Sequence, residues 1–260
     1  MRVSALARRG RIGIAAGLTL AALTLAALPA ARAQTITVAA AASAGDAVRE
    51  LGPLFEATYP GQRVQVTTGA SGALVQQALR GAPIDVLITA DAATMDQAEA
   101  RGLLAPGSRR TIATNVLVVV QPASAASPLG SLEDLAGPKV GRIGMGQPDI
   151  VPAGRLAQQA LEEAKVWPKV KPRIVNALTV RQVLDYVARG EVDAGVVYAT
   201  DAQKAGAKVR VALKVPGPPV TMAIAPLPGS VRSDIASRFV EFMQTPRAQA
   251  VLRRHGFGAP

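Results

Sequence analysis

The chain has 260 residues, no cysteine and a single histidine, and its 29 Lys and Arg against 18 Asp and Glu give a formal charge of +11. Without cysteine, disulfides, thiol nucleophiles, thiolate metal sites and iron–sulfur clusters are excluded. Aromatics make up only 3%, and beyond residue 33 the basic residues form nothing longer than pairs such as Arg109-Arg110, so the charge reads as solvated surface and no nucleic-acid platform is expected.

The chain opens with Arg2, Arg8, Arg9 and Arg11 and no acid, continues with an apolar stretch from Ile12 to Leu28, and closes on Ala31-Arg32-Ala33. A basic start, an apolar middle and an Ala-x-Ala end describe a secretory signal peptide over 1–33, cut before Gln34. An uncleaved anchor is the alternative, but the apolar stretch is short of the roughly 20 residues a span needs. Cleavage removes those four arginines and Arg32, taking the formal charge from +11 to +6. The missing cysteine at the cut leads to the expectation of a free periplasmic protein rather than a lipid-anchored one. The Arg8-Arg9 pair leaves the choice between general and twin-arginine export open.

From Thr35 onward, strand-like apolar runs alternate with segments of helical period. Thr35–Ala41, Arg63–Thr68 and Ile84–Ile88 read as strands; Asp46–Thr58, Leu74–Arg80 and Ala92–Arg101 read as helical. A long β-branched run, Val116-Leu117-Val118-Val119-Val120, lies within Thr111–Gln121, and then the pattern restarts. Lys139–Met145 and Ala194–Val197 predict strands, and Ala153–Ala164 and Val180–Arg189 predict helices. Past Pro216, Pro218 and Pro219 come a strand at Val220–Ala225 and a final helix from Ser230 or Val231 to about Met243. The alternation predicts an α/β fold with mainly parallel strands. Two lobes joined by extended crossings explain the Val run and the later return near Val209–Ala225: residues 34–116 with 217–260 as one lobe, 117–216 as the other.

Four junctions before helices are built of small residues: Ala40-Ala41-Ala42-Ser43-Ala44-Gly45, Gly69-Ala70-Ser71-Gly72, Val151-Pro152-Ala153-Gly154 and Leu178-Thr179-Val180-Arg181. A helix start exposes unpaired N–H groups and the positive end of its dipole, which suits an anion. In open α/β sheets such junctions lie at the carboxyl ends of strands, where ligands bind. Ser43 or Ser71 taken singly is more often an ordinary N-cap; the combination carries the argument. Asp46, Asp85 and Asp91 read as structural, Asp91 as the cap of the helix that follows it.

Together with Gly81-Ala82-Pro83-Ile84-Asp85-Val86, Thr89-Ala90-Asp91 and Val196-Val197-Tyr198-Ala199-Thr200-Asp201-Ala202, these stretches resemble the periplasmic molybdate-binding proteins, in order over nearly all of Gln34–Phe257. The resemblance implies a type 2 periplasmic binding protein, two lobes with a hinge. It places the ligand set on Ser43 and Ser71 in one lobe and Ala153, Val180 and Tyr198 in the other. Two departures are visible: Gln147-Pro148, where the family often carries an acid before the proline, and Gly72, where some members carry a further serine. The implied ligand is molybdate or tungstate, the implied partner an inner-membrane ABC permease, and the implied state a monomer without cofactor, the molybdenum being held as its oxyanion with no direct metal ligand.

All five positions can donate a hydrogen bond and none brings a carboxylate. Hydrogen phosphate would bury an unpaired proton there, at about 1–3 kcal/mol, whereas molybdate, tungstate and sulfate are fully ionised. A tungstate-binding type that surrounds its metal with added carboxylates finds no matching acids here. The same scaffold serving sulfate or thiosulfate is the nearest alternative. A secreted hydrolase is disfavoured, because the one histidine, His255, sits in the last few residues and no nucleophile elbow or zinc motif is present. A transcription-factor effector domain would replace the signal peptide with a helix-turn-helix.

Overall fold

A computed structural model of the chain describes residues 34–260; the signal-peptide reading of 1–33 lies outside them. The strands are β1 (Gln34–Ala41), β2 (Gln62–Gly69), β3 (Val86–Thr89), β4 (Arg110–Asn115), β5 (Leu117–Pro122), β6 (Ile143–Gly146), β7 (Ile174–Ala177), β8 (Ala194–Tyr198), β9 (Val209–Lys214) and β10 (Val220–Pro226). The helices are α1 (Gly45–Thr58), α2 (Ser71–Leu79), α3 (Ala92–Ala100), α4 (Pro152–Glu163), α5 (Trp167–Val170), α6 (Val180–Ala188), α7 (Ala199–Ala205), α8 (Ser233–Phe242) and α9 (Pro246–Arg254).

Two five-stranded sheets result, ordered β2-β1-β3-β10-β4 and β7-β6-β8-β5-β9. In the first, β1 pairs with β2 and β3 in parallel, and β10 runs against both β3 and β4. In the second, β6 pairs with β7 and β8 in parallel, and β5 runs against both β8 and β9. Each sheet therefore has four strands in one direction and one opposed, which agrees with the expected mainly parallel α/β architecture. The opposed strand in each case adjoins a crossing between the sheets.

The long Val run is one of those crossings. β4 ends at Asn115 in the first sheet and β5 starts at Leu117 in the second, with Val116 the only residue between. That joint is pinned: the Asn115 side chain accepts the Val116 N–H at 2.9 Å, and the Val116 carbonyl accepts the Ala199 N–H at 2.9 Å. The return passes from β9 to β10 through Val215–Pro219, where prolines cannot donate to a ladder.

The C-terminal segment completes the first lobe. Phe55 of α1 meets Phe239 and Phe242 of α8, edge-on to Phe239 at 5.2 Å between centroids, and Tyr59 just past α1 packs on Phe55. Burying each such ring contributes about 2–3 kcal/mol, so these contacts anchor α8 on α1. In the second lobe α4 is pressed onto the end of β6. A Cβ on Gly154 would stand 1.8 Å from the Gly146 carbonyl oxygen, and one on Gly146 would stand 2.4 Å from Val151. Only glycine lets the start of α4 come this close to the sheet.

Candidate functional site

The carboxyl ends of the parallel strands in the two sheets face one another. Between them lies a small cavity of about 10 Å³, lined from the first lobe by Ala41, Ala42, Ser43, Gly69, Ala70, Ser71 and Ala90 and from the second by Val151, Pro152, Ala153, Val180 and Tyr198. All five residues singled out in the sequence are brought together here. The cavity has space for about one water-sized group, against about 300–1,000 Å³ for the pocket of an organic ligand, so with the lobes this close the cleft excludes organic ligands.

The local structure aims donors at the cavity. Ser43 lies in a 3₁₀ turn (Ala42–Ala44) between β1 and α1. Ser71 is the first residue of α2, whose preceding residue, Ala70, has no side chain to satisfy the first-turn N–H groups. Val151 before α4 also caps nothing. Thr179 before α6 spends its hydroxyl on the Gln182 N–H at 3.1 Å and leaves the Val180 N–H uncapped. Neither serine is an N-cap, contrary to the commonest role of such a residue. Asp91 is one, accepting the Thr94 N–H at 3.1 Å.

The hydroxyls are the decisive groups. Ser43 is 3% exposed, Ser71 1% and Tyr198 1%. Among the described residues neither Ser43 Oγ nor Tyr198 Oη has a hydrogen-bond partner. Ser71 Oγ accepts the Ala90 N–H at 3.0 Å, which turns its own proton elsewhere. Burial holds the Tyr198 phenol well above its ordinary pKa, and the charges of Asp91 and Asp201 add to this against the opposing Arg155. The phenol therefore stays a donor. A buried unpaired hydroxyl costs about 1–3 kcal/mol, and two pointing into one cavity call for an acceptor.

No Asp or Glu is among the residues lining the cavity, and among the described residues no group of three or more His, Asp and Glu could hold a metal ion. Two buried acids stand behind the cavity, each with an arginine. Asp91 pairs with Arg155 of α4 across the cleft. Asp201, fully buried, lies 2.8 Å from Arg181 Nε, and its other oxygen accepts the Tyr198 N–H at 3.2 Å. Burial pushes the Asp201 carboxyl up to about 6, although Arg181 and that N–H pull the other way.

Further contacts tie the lobes together around the cavity. Gly72 donates its N–H to the Ile150 carbonyl at 3.0 Å, and a Cβ on Gly72 would stand 3.0 Å from that oxygen. Asp46 of α1 pairs with Lys204 of α7 and, at 3.3 Å, with Arg181. Arg155, Arg181 and Lys204 are thus partners across the cleft, not the merely solvated charges that their scattered positions predict. His255 pairs with Glu50 at 2.8 Å at the end of α9.

A family model described as bacterial extracellular solute-binding protein matches residues 36–258. The chain belongs to that family. Among relatives of this solute-binding protein, the molybdate-binding protein ModA of Mycobacterium tuberculosis (strain H37Rv) is 34% identical, the match covering 88% of this chain and 86% of that one. The structure of the Azotobacter vinelandii periplasmic molybdate-binding protein superposes with a TM-score of 0.76 at 26% identity, over 86% of this chain and 99% of the other. The sulfate-binding protein SubI of Mycobacterium tuberculosis superposes with a TM-score of 0.75 at 18% identity, over 86% of each chain, and so shares the fold. These relatives are solute-binding proteins, not enzymes, and the two-lobed type 2 fold is common to them.

Proposed function

We propose that this solute-binding protein captures molybdate, and tungstate with it, as an intact tetrahedral dianion in the periplasm and delivers it to an inner-membrane ABC permease. In this reading Ser43 and Ser71 supply hydroxyl and N–H donors, Ala153 and Val180 supply N–H groups, and Tyr198 supplies its phenol. The observation that carries it is the pair of buried, partnerless hydroxyls, Ser43 Oγ and Tyr198 Oη, facing one small cavity without a carboxylate. Preorganised uncharged donors suit a fully ionised oxyanion, and a protonated phosphate meets no carboxylate to take its proton. The resemblance and the molybdate-binding relatives favour molybdate among the dianions.

With donors on both lobes, the ligand is fully coordinated only when the lobes are closed, so binding draws a hinge equilibrium toward the closed form that the permease receives. We take the lobes as 34–116 with 217–260 and 117–216, acting as a monomer, with 1–33 as a cleaved signal peptide.

Thermal melting with molybdate, tungstate, sulfate and phosphate tests the reading. A ligand at about 100 times its Kd adds ~2.7 kcal/mol, a rise of about 5–10 °C at this size. Molybdate and tungstate are expected to raise the Tm and phosphate is not. A rise with sulfate alone moves the assignment to a sulfate carrier on the same scaffold. No rise with any of the four overturns oxyanion binding.

A further inference from the structure

Arg181 is the second residue of α6, directly after Val180, and its side chain crosses the cleft. One guanidinium nitrogen, Nη2, lies 3.3 Å from the Ser43 carbonyl oxygen and 3.3 Å from Asp46 Oδ2, both in the first lobe. Nε lies 2.8 Å from Asp201 Oδ1 in its own lobe, an ion pair without hydrogen-bond alignment, and the second oxygen of Asp201 takes the Tyr198 N–H at 3.2 Å. One planar cation thus touches the backbone of Ser43 directly and that of Tyr198 through Asp201, and adjoins Val180 covalently. No other charged side chain among the described residues reaches three of the five cavity positions in this way.

We propose that Arg181 is a positioning residue for ligand capture: held ready in its own lobe by Asp201, it docks on the Ser43 carbonyl and Asp46 as the lobes meet, so that closure and the alignment of Ser43, Val180 and Tyr198 are one event. The inference rests on the oxyanion reading. Its physical basis is the division of contacts. The Asp201 arm lies within one lobe and survives opening, whereas the Ser43 and Asp46 arms exist only when the lobes are together. The fork geometry matters, because the two arms use Nε and Nη2, which a guanidinium holds rigidly apart, whereas an ammonium offers all its donors from one nitrogen. Arg155 and Asp91 bridge the opposite rim, but Arg155 makes no hydrogen bond to the backbone of a cavity residue.

Two variants separate positioning from folding. Arg181→Lys keeps a cation beside buried Asp201 while losing the fork. Asp46→Asn leaves Arg181 on Asp201 and removes the half-exposed arm on the first lobe. Titration calorimetry with molybdate is expected to show Kd raised at least ~10-fold by Arg181→Lys, the scale of a lost hydrogen bond to a charged group, and about 5-fold by Asp46→Asn. Ligand-free Tm is expected to stay within about 2 °C of the parent for Asp46→Asn. Small-angle scattering at saturating molybdate is expected to show full compaction of the parent and incomplete compaction of Arg181→Lys. If the parent binds molybdate and both variants bind within about 2-fold of it, the positioning role is wrong and the oxyanion reading stands. An equal loss of ligand-free stability and affinity in Asp46→Asn overturns it too, in favour of a structural role. If the parent gives no heat with molybdate, tungstate or sulfate, the oxyanion reading itself fails.

Discussion

Replacing Tyr198 by Phe removes one oxygen from a ring that is otherwise fully packed, and it separates a ligand donor from a structural hydroxyl by the sign of two effects. The phenol oxygen is buried with no protein partner, so in the ligand-free protein its loss breaks no hydrogen bond. At most it relieves the desolvation of an unpaired group, about 1–3 kcal/mol when the lobes are closed and near nothing when they are open and water reaches it. The ligand-free Tm is therefore expected to stay the same or to rise by a few degrees. Binding moves the other way. A phenol that donates to a dianion makes a charge-assisted hydrogen bond of about 1.5–3 kcal/mol, so Tyr198→Phe is expected to raise the Kd for molybdate by ~10- to 150-fold. Melting of the ligand-free protein and calorimetric titration, run on the same preparation, measure the two. Lower Tm without ligand together with unchanged affinity refutes the assignment, because it makes the hydroxyl a core contact.

The two serines are expected to part company in the same way. Ser43→Ala leaves ligand-free stability unchanged and weakens binding, whereas Ser71→Ala also strands the buried Ala90 N–H and lowers the melting temperature by about 2–10 °C. Gly154→Ala drives a methyl into the Gly146 carbonyl and is expected to cost about 3 kcal/mol or more, read as a Tm fall of ~6–12 °C; a neutral result would mean that α4 slides freely over β6. Asp201 gives a pH signature in the ligand-free protein. Its carboxyl ionises at about 6 when folded against 3.8 when free, so the folded state holds the extra proton between those values and stability rises as pH falls through that window. The gain is about 1 kcal/mol at pH 5 relative to pH 7, or ~2–4 °C. Hydrogen bonding to His255 and Arg254 holds Glu50 low; for Asp46, burial is outweighed by Lys204, Arg181 and Arg49. Their stabilisation is complete above about pH 4.5 and is lost only below it. Asp201→Asn is expected to flatten the slope between pH 5 and 7 in a melting series, and an unchanged slope would assign it to another group.

The junctions that form the cavity were legible because a close approach to an ion demands small residues at strand ends, and runs such as Ala40-Ala41-Ala42-Ser43 and Gly69-Ala70-Ser71-Gly72 display that demand directly. The crossing was legible in length: the stretch Thr111–Gln121 is about twice an ordinary strand, and it divides into β4 and β5 at Val116. Other parts left little trace. β7 pairs only through β6 and keeps Asn176 exposed, so it lacks both an apolar run and alternation. α7 reads Ala-Thr-Asp-Ala-Gln-Lys-Ala, with no apolar stripe to give it a period. The ion pairs across the cleft were hidden most completely. Arg181 meets Asp46 and Asp201 from distant places in the chain, and only the fold makes an ordinary first-turn acid, an acid after a strand and a helix-surface arginine into one group. An acid three residues past the buried run Ala194–Tyr198 was the one available sign that a cation had to come to it.

The pinned joint at Val116 has a mechanical meaning for how the two halves move. With one residue between strands of different sheets, and both of its polar backbone groups engaged, this connection has the build of an axle, with little length for separation, while the Pro-rich return at 215–219 is a longer strap. Lengthening the strap by a residue changes only its slack. A residue added to the axle, unless the joint itself absorbed it, would turn the side chains of β5 to the wrong face of its sheet, so the shorter of the two links between the sheets is also the one that sets their alignment.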